Sequence, residues 1–307
     1  MKQLLVAVAL VAACAASATE YFVDGARPDN SGDGKSEGAA FKTIQYALTK
    51  VADYDTVTVL PGDYAEDPVE VKDGDYDAYK SLSRLYITKK ITLRSRDGAA
   101  KTHIIGRRSA KAKTDATYAD GMGADAVRCI SVDKTTASGT VIQGFTIRDG
   151  ASNSQDASGN DVATGSQDSS RNRAGGVNTT KAIADGAAFY VVDCVVSNCV
   201  GTRGGGVYGG TCVRTLFAFN QARNYGAAGR QCNFYNCVFT RNAPTDGALA
   251  GGQTGAGITA YAYGYVNCTF VDNSDTKCMT MMSGNAYNTL FVNNGGSVCD
   301  ADYRNRC

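Results

Sequence analysis

Few residues in this sequence have both the chemical type and the spacing for catalysis. Arg148-Asp149 heads a Ser/Asn/Asp/Gly-rich stretch, 151–173, that adds Asp156, Asp161, Asp168, Arg171 and Arg173. Two arginines and several carboxylates on one cleft wall would suit an acidic glycan. A cation or metal acidifies the proton beside a uronate carboxyl group, and Arg148 or Arg171 takes that proton as base. A hydrolase would instead need paired carboxylates roughly 5 to 9 Å apart. Arg148, Asp149, Arg171 and Arg173 are therefore the candidate catalytic residues, and a solvated surface loop is the competing reading of the same composition. Asp193 and Arg214 stand one repeat apart and are expected to form a surface ion pair. His103 is the only histidine, which excludes mechanisms needing two imidazoles, and Lys-Thr-His103-Ile-Ile-Gly reads as a strand end.

Metal ligation has one candidate. Asp29-Asn-Ser-Gly-Asp33-Gly34 is oxygen-rich and turned by glycine like a calcium loop, with Asp29 and Asp33 as ligands. Ala40 stands where an EF-hand would place its bidentate Glu, so a plain turn is the alternative. Ten cysteines follow Cys14: Cys129, Cys194, Cys199, Cys212, Cys232, Cys237, Cys268, Cys278, Cys299 and Cys307. Their closest spacings are C-x4-C, wide for a four-cysteine zinc site. Disulfides and buried free thiols both remain open.

Composition narrows the setting. Lys and Arg number 31 against 30 Asp and Glu, for a net charge of +1. Such a balance supplies no long-range field for nucleic acid, and it argues against a polyanion-gripping surface. The 35 glycines, with only 4 prolines and no tryptophan, indicate many tight backbone corners, and 43% hydrophobic residues suffice for a core. Met1-Lys2-Gln3 followed by the apolar run Leu4 to Ala13 has the form of a secretory signal, too short to span a bilayer. Cleavage after Ala16-Ser17-Ala18 would remove residues 1–18 and release a chain from Thr19. Val11-Ala12-Ala13-Cys14 also resembles a lipobox that would anchor the protein at Cys14. The expected location is secreted or cell-surface, without a transmembrane segment.

What must position any site is a repeat. Phe217-Ala-Phe-Asn220, Phe239-Thr-Arg-Asn242, Phe270-Val-Asp-Asn273 and Phe291-Val-Asn-Asn294 share one pattern, each preceded two residues earlier by Thr215, Cys237, Cys268 or Thr289. These steps are 22, 31 and 21 residues, a period of about 21 to 22 with one insertion. Gly175-Gly176-Val177, Gly205-Gly206-Val207 and Ala256-Gly257-Ile258 mark further corners. A unit this short cannot bury a face alone, so coils must stack into a parallel β-solenoid at about 4.8 Å per rung. Phe217, Phe239, Phe270 and Phe291 are then an internal aromatic ladder. Asn220, Asn242, Asn273 and Asn294 form a second ladder at a turn, where Asn tolerates a left-handed backbone. Cys237 should lie over Cys268, and Cys278 over Cys299. Outward positions beside each Phe are mostly apolar or hydroxyl, a poor active site and a stripe for a loop or partner. Tyrosines, among them Tyr208, Tyr225, Tyr261, Tyr263 and Tyr265, offer rings for sugar stacking or half-buried wall residues.

The repeats over 175–294 resemble those of chlamydial polymorphic outer membrane proteins. Tyr21-Phe-Val-Asp24, Asn30-Ser-Gly-Asp-Gly34, Phe41-Lys-Thr-Ile-Gln45 and Asp55-Thr-Val-Thr-Val-Leu-Pro-Gly-Asp-Tyr64 are similar to the opening of secreted pectin-lyase-like proteins. That resemblance implies an all-β, right-handed parallel β-helix, and a fold shared by lyases, hydrolases, adhesins and non-catalytic proteins. Phe41, Ile44, Leu48 and Val51 recur at helical spacing and fit a short N-terminal capping helix. The expectation is one domain, 19–307, with cap and first rung in 21–62. Its expected role is non-catalytic binding of polysaccharide or another cell-surface component. Cleavage of an acidic glycan by a lyase or glycosidase is the alternative. A third possibility is an adhesin or assembly subunit that associates through an uncapped C-terminal end.

Overall fold

A computed structural model describes residues 18–72, 80–110, 121–123, 125–133, 135–152, 173–179, 189–244, 258–260, 262–273 and 284–295. Arg171, Tyr261, Cys278, Cys299, Cys307, residues 1–17 and most of 151–173 lie outside them. Among the described residues no helix is long and apolar enough to cross a membrane.

The chain coils through three faces, and one turn shows all of them. Phe189–Val192 lies in a fourteen-stranded sheet, Val195–Ser197 in an eight-stranded sheet and Val200–Arg203 in a three-stranded sheet. Val207–Val213 then returns to the long sheet, one rung on. Successive strands pair in parallel, with Val195, Leu216, Val238, Thr269 and Leu290 in register. An antiparallel pair, Val69–Lys72 with Lys80–Ile87, interrupts the coil.

Strand alternation turns one residue of each Phe strand inward. Phe217, Phe239, Phe270 and Phe291 stack with centroid separations of 5.1, 4.2 and 5.1 Å, and all but Phe291 are fully buried. Phe234 and Tyr265 form a second column that meets the first edge-on. Each Asn of the second ladder is buried in the coil, with Asn294 at the end half-buried. The Asn242 amide donates to Phe217 O and Asn273 Oδ1, and its Oδ1 accepts from Asn220. The left-handed residue is not the Asn but the one before it: Phe219, Arg241, Asp272 and Asn293 have φ of 58, 53, 53 and 48°. Burying the amide for inter-rung bonding leaves the chain reversal to its neighbour. A second left-handed column, Asp193, Arg214, Asn236, Asn267 and Asn288, brackets the short strands on their other side.

The glycine pairs are required by backbone crowding. A Cβ on Gly176 would stand 2.2 Å from Gly206 O, and one on Gly205 1.9 Å from Gln221 O. At the N-terminal end, helix Ile44–Leu48 buries Ile44, Ala47 and Leu48 over the lumen, as its periodicity predicts, capped by Thr43. The first strand is Glu20–Val23, paired in parallel with Thr56–Val59. Glu66 lies against this cap. Its Oε1 accepts from Ile44 N, its Oε2 is buried with no partner among the described residues, and burial pushes its carboxyl group up to about 7.

Candidate functional site

The outward face of the eight-stranded sheet carries a polar network at its N-terminal end. Asp63 and His103 occupy paired positions on neighbouring strands, and Asp63 Oδ1 lies 2.6 Å from His103 Nδ1. Arg148 is one rung further on. Its Nη2 stands 3.7 Å from Asp63 Oδ2 and its Nη1 2.5 Å from Asp149 Oδ2. Asp149, left-handed at φ 62°, also accepts from Asn198 Nδ2 at 2.5 Å, and Arg108 Nη2 donates to Asn198 Oδ1 at 2.9 Å. Arg148 faces carboxylates with both terminal nitrogens, so nothing in this geometry equips it as a base. His103 lies within its strand, Thr102–Ile105, rather than at an end.

Arg173 does not join that network. It is 4% exposed, and its guanidinium lies 4.5 Å from the Tyr208 ring centroid, on the long sheet. Arg148 and Asp149 therefore sit on one face of the coil and Arg173 on another. Around Arg173 the coil assembles an alternation of cations and rings. Arg230 lies 6.0 Å from Tyr208 and 5.0 Å from Tyr225, and Arg203 lies 6.0 Å from Tyr225. Register explains the alternation: Tyr208 pairs with Arg230, and Arg203 with Tyr225. Gly204, at φ 70°, turns the chain between the third sheet and the long sheet beneath them. Arg173, Arg203 and Tyr208 are buried, while Arg230 and Tyr225 are half-buried and form the accessible end.

Beside Tyr208, one rung below and in register, is Asn178. Val177 and Val207 point into the core, so Asn178 and Tyr208 point outward. Asn178 is 0% exposed, yet among the described residues neither its Oδ1 nor its Nδ2 has a hydrogen-bond partner. A buried amide with four unused bonding positions costs about 1 to 3 kcal/mol per stranded group unless something polar occupies the space beside it.

Other sequence-derived candidates form local structure. Asp29 Oδ1 and Asp33 Oδ1 each accept a backbone N–H two residues on, from Ser31 and Lys35, as plain turns. Among the described residues no group of three or more His, Cys, Asp or Glu is placed to hold a metal. Asp193 and Arg214 form the expected surface pair at 2.6 Å. A groove of about 460 Å³ near Asp193 is lined by Arg94, Arg96 and Gln143, but Glu20 and Glu37 already pair with its arginines at 2.7 Å. Tyr265 is a core residue and Tyr263 is exposed.

No protein-family model matches the chain, and no curated protein does. Solved structures do. A pectin methylesterase in complex with a hexasaccharide aligns over 91% of this chain and 82% of its own, at 14% identity and a TM-score of 0.50. The fold is a pectin-lyase-like, right-handed parallel β-helix. A carrot pectin methylesterase aligns over 94% of this chain and 88% of its own, at 9% identity and a TM-score of 0.41. A pectate lyase aligns over 93% and 79%, at 11% identity and a TM-score of 0.37. At such identities the likeness establishes the fold, and activity has to be argued from the side chains.

Proposed function

We propose that this chain is an exported, non-catalytic β-helix protein that binds an acidic polysaccharide at the corner between the third and long sheets. The observation that carries this reading is the alternation Arg173, Tyr208, Arg230, Tyr225, Arg203 beside the Asn178 amide, which has no hydrogen-bond partner among the described residues. Guanidinium groups recognise carboxylate or sulfate oxygens in bidentate fashion. Tyrosine rings supply flat apolar contact for sugar faces, and a buried amide orients hydroxyl groups. Overall charge balance does not prevent this, because the arginines are concentrated locally by the coil. Electrophoresis through gels containing polyuronate, sulfated or neutral glycan tests the reading. Retardation is expected in an acidic gel and reduced for Arg230→Ala. Unchanged mobility in every gel would overturn it.

A second reading, cleavage of the glycan, draws on the Asp63–His103 pair, in which a carboxylate orients an imidazole. That pair lies on the eight-stranded sheet, away from the arginine-rich corner, which favours binding without turnover. New reducing ends, or absorbance of an unsaturated product, would reverse the preference.

A further inference from the structure

Strand alternation fixes which side chains of the long sheet face outward between Phe189 and Tyr287. Val191, Cys212, Phe234 and Tyr265 are buried in the core, so the residues on either side of each point away from it. Those positions form two columns. Tyr190, Thr211, Asn233, Gly264 and Asn285 pair rung by rung in one, and Val192, Val213, Tyr235, Val266 and Tyr287 in the other. Tyr190 and Tyr235 are 40% exposed and Tyr287 61%. These three tyrosines fall on alternate rungs, Tyr190 in the first column and the other two in the second. On the rung between Tyr235 and Tyr287 the outward residues are Gly264, without a side chain, and the half-buried Val266.

Charge and spacing both define a ligand. Neither column holds a charged residue, and Asp193 and Arg214, which follow Val192 and Val213 at the rim, bond each other at 2.6 Å. An uncharged partner suits such a face. Two rungs at about 4.8 Å each make about 10 Å, the length of one disaccharide unit in an extended β-1,4-linked glycan. Successive sugars of that chain are turned over, so every second ring presents the same face, and rings repeated at this interval meet equivalent apolar sugar faces. Polar groups stand in a row beside them. Asn236, Asn267 and Asn288 follow Tyr235, Val266 and Tyr287 and are exposed. The Asn267 amide donates to Asn236 Oδ1 at 3.3 Å and the Asn288 amide to Asn267 Oδ1 at 2.7 Å, which orders the three amides beside the track for sugar hydroxyl groups. Towards the N-terminal end the second column continues through Gln143, Arg94 and Thr58, which line the groove of about 460 Å³.

We propose that this face is a second carbohydrate site, which binds an uncharged β-1,4-linked glycan along the axis of the coil, stacked on Tyr190, Tyr235 and Tyr287. It does not depend on the acidic-glycan reading, because Arg230 and Tyr235 lie towards opposite ends of the strand Gly229–Tyr235.

The chain has no tryptophan, so ultraviolet difference spectra report its tyrosines directly. The full chain is titrated with cello-oligosaccharides of two, four and six sugars. A saturable difference spectrum is expected, with affinity rising at each step, since two sugars reach one ring and six span all three. Tyr235→Ala should weaken hexasaccharide binding about tenfold, while Tyr235→Phe, which keeps the ring, and Arg230→Ala, at the acidic corner, should bind like the parent. An α-1,4-linked hexasaccharide, which coils, should bind at least about tenfold more weakly than its β-linked counterpart. No spectral change, affinity independent of chain length, or parental affinity in Tyr235→Ala would overturn the proposal. A concentration-dependent dimer in a sizing experiment, lost in Tyr235→Ala, would overturn it too, by assigning the face to a second copy of the chain.

Discussion

The Asn ladder makes the sharpest stability prediction. Asn242 is fully buried at mid-stack, and its Oδ1 accepts from both the backbone N–H and the Nδ2 of Asn220, each at 3.0 Å. Its own Nδ2 donates to Phe217 O at 2.9 Å and Asn273 Oδ1 at 3.1 Å. Asn242→Ala strands two donors of Asn220 where water does not reach. At about 1 to 3 kcal/mol per stranded group, the expected loss is about 4 kcal/mol. Asn294→Ala removes the analogous acceptor from Asn273, but at a half-buried end that solvent enters, so about 1 kcal/mol is expected. Urea unfolding followed by far-UV circular dichroism measures both, with attention to a broadened transition, since a solenoid can lose rungs locally. A cost for Asn242→Ala below about 1 kcal/mol, or equal costs at the two sites, would refute the ladder as a source of stability.

Glu66 predicts a pH dependence. Its folded carboxyl group is raised to about 7 by burial, from an ordinary value of 4.5. Between those values the folded state holds a proton that the unfolded state has lost, so stability is greatest on the acid side and falls as pH rises through 7. The full span is worth about 3 kcal/mol, and Glu66→Gln should flatten the stability profile between pH 5 and 8. An unchanged slope in thermal melts across that range would contradict the burial argument. Gly205→Ala places a Cβ 1.9 Å from Gln221 O and should cost about 3 kcal/mol. Gly38→Ala, with nothing within 4 Å, should stay within about 0.5 kcal/mol of the parent in the same denaturation assay.

The parts of the fold that repeat were legible in the sequence, because a solenoid imposes one residue type per column. The Phe and Asn columns, the glycine corners, the capping helix and the Asp193–Arg214 pair all follow from spacing. The left-handed positions did not. Phe219, Arg214 and Arg241 are types that avoid positive φ, and only the coil's geometry forces them there. The Arg/Tyr corner was not legible for a different reason. Its arginines and tyrosines are spread from 173 to 230, and a net charge of +1 conceals a local concentration. A signal existed, since Arg203 to Tyr225 and Tyr208 to Arg230 are each 22 residues, one period. Asp63 and His103 lie 40 residues apart in early rungs where insertions blur the period, so their register could not be read.

The central claim is that the Arg/Tyr corner binds acidic glycan, and calorimetric titration with oligouronate tests it most directly. The account predicts saturable binding by the parent chain, at least a tenfold weaker affinity for Arg230→Ala, about 1.4 kcal/mol, and parental affinity for Arg214→Ala, whose ion pair lies elsewhere on the surface. Equal affinities in all three proteins, or no heat with the parent chain, would contradict it.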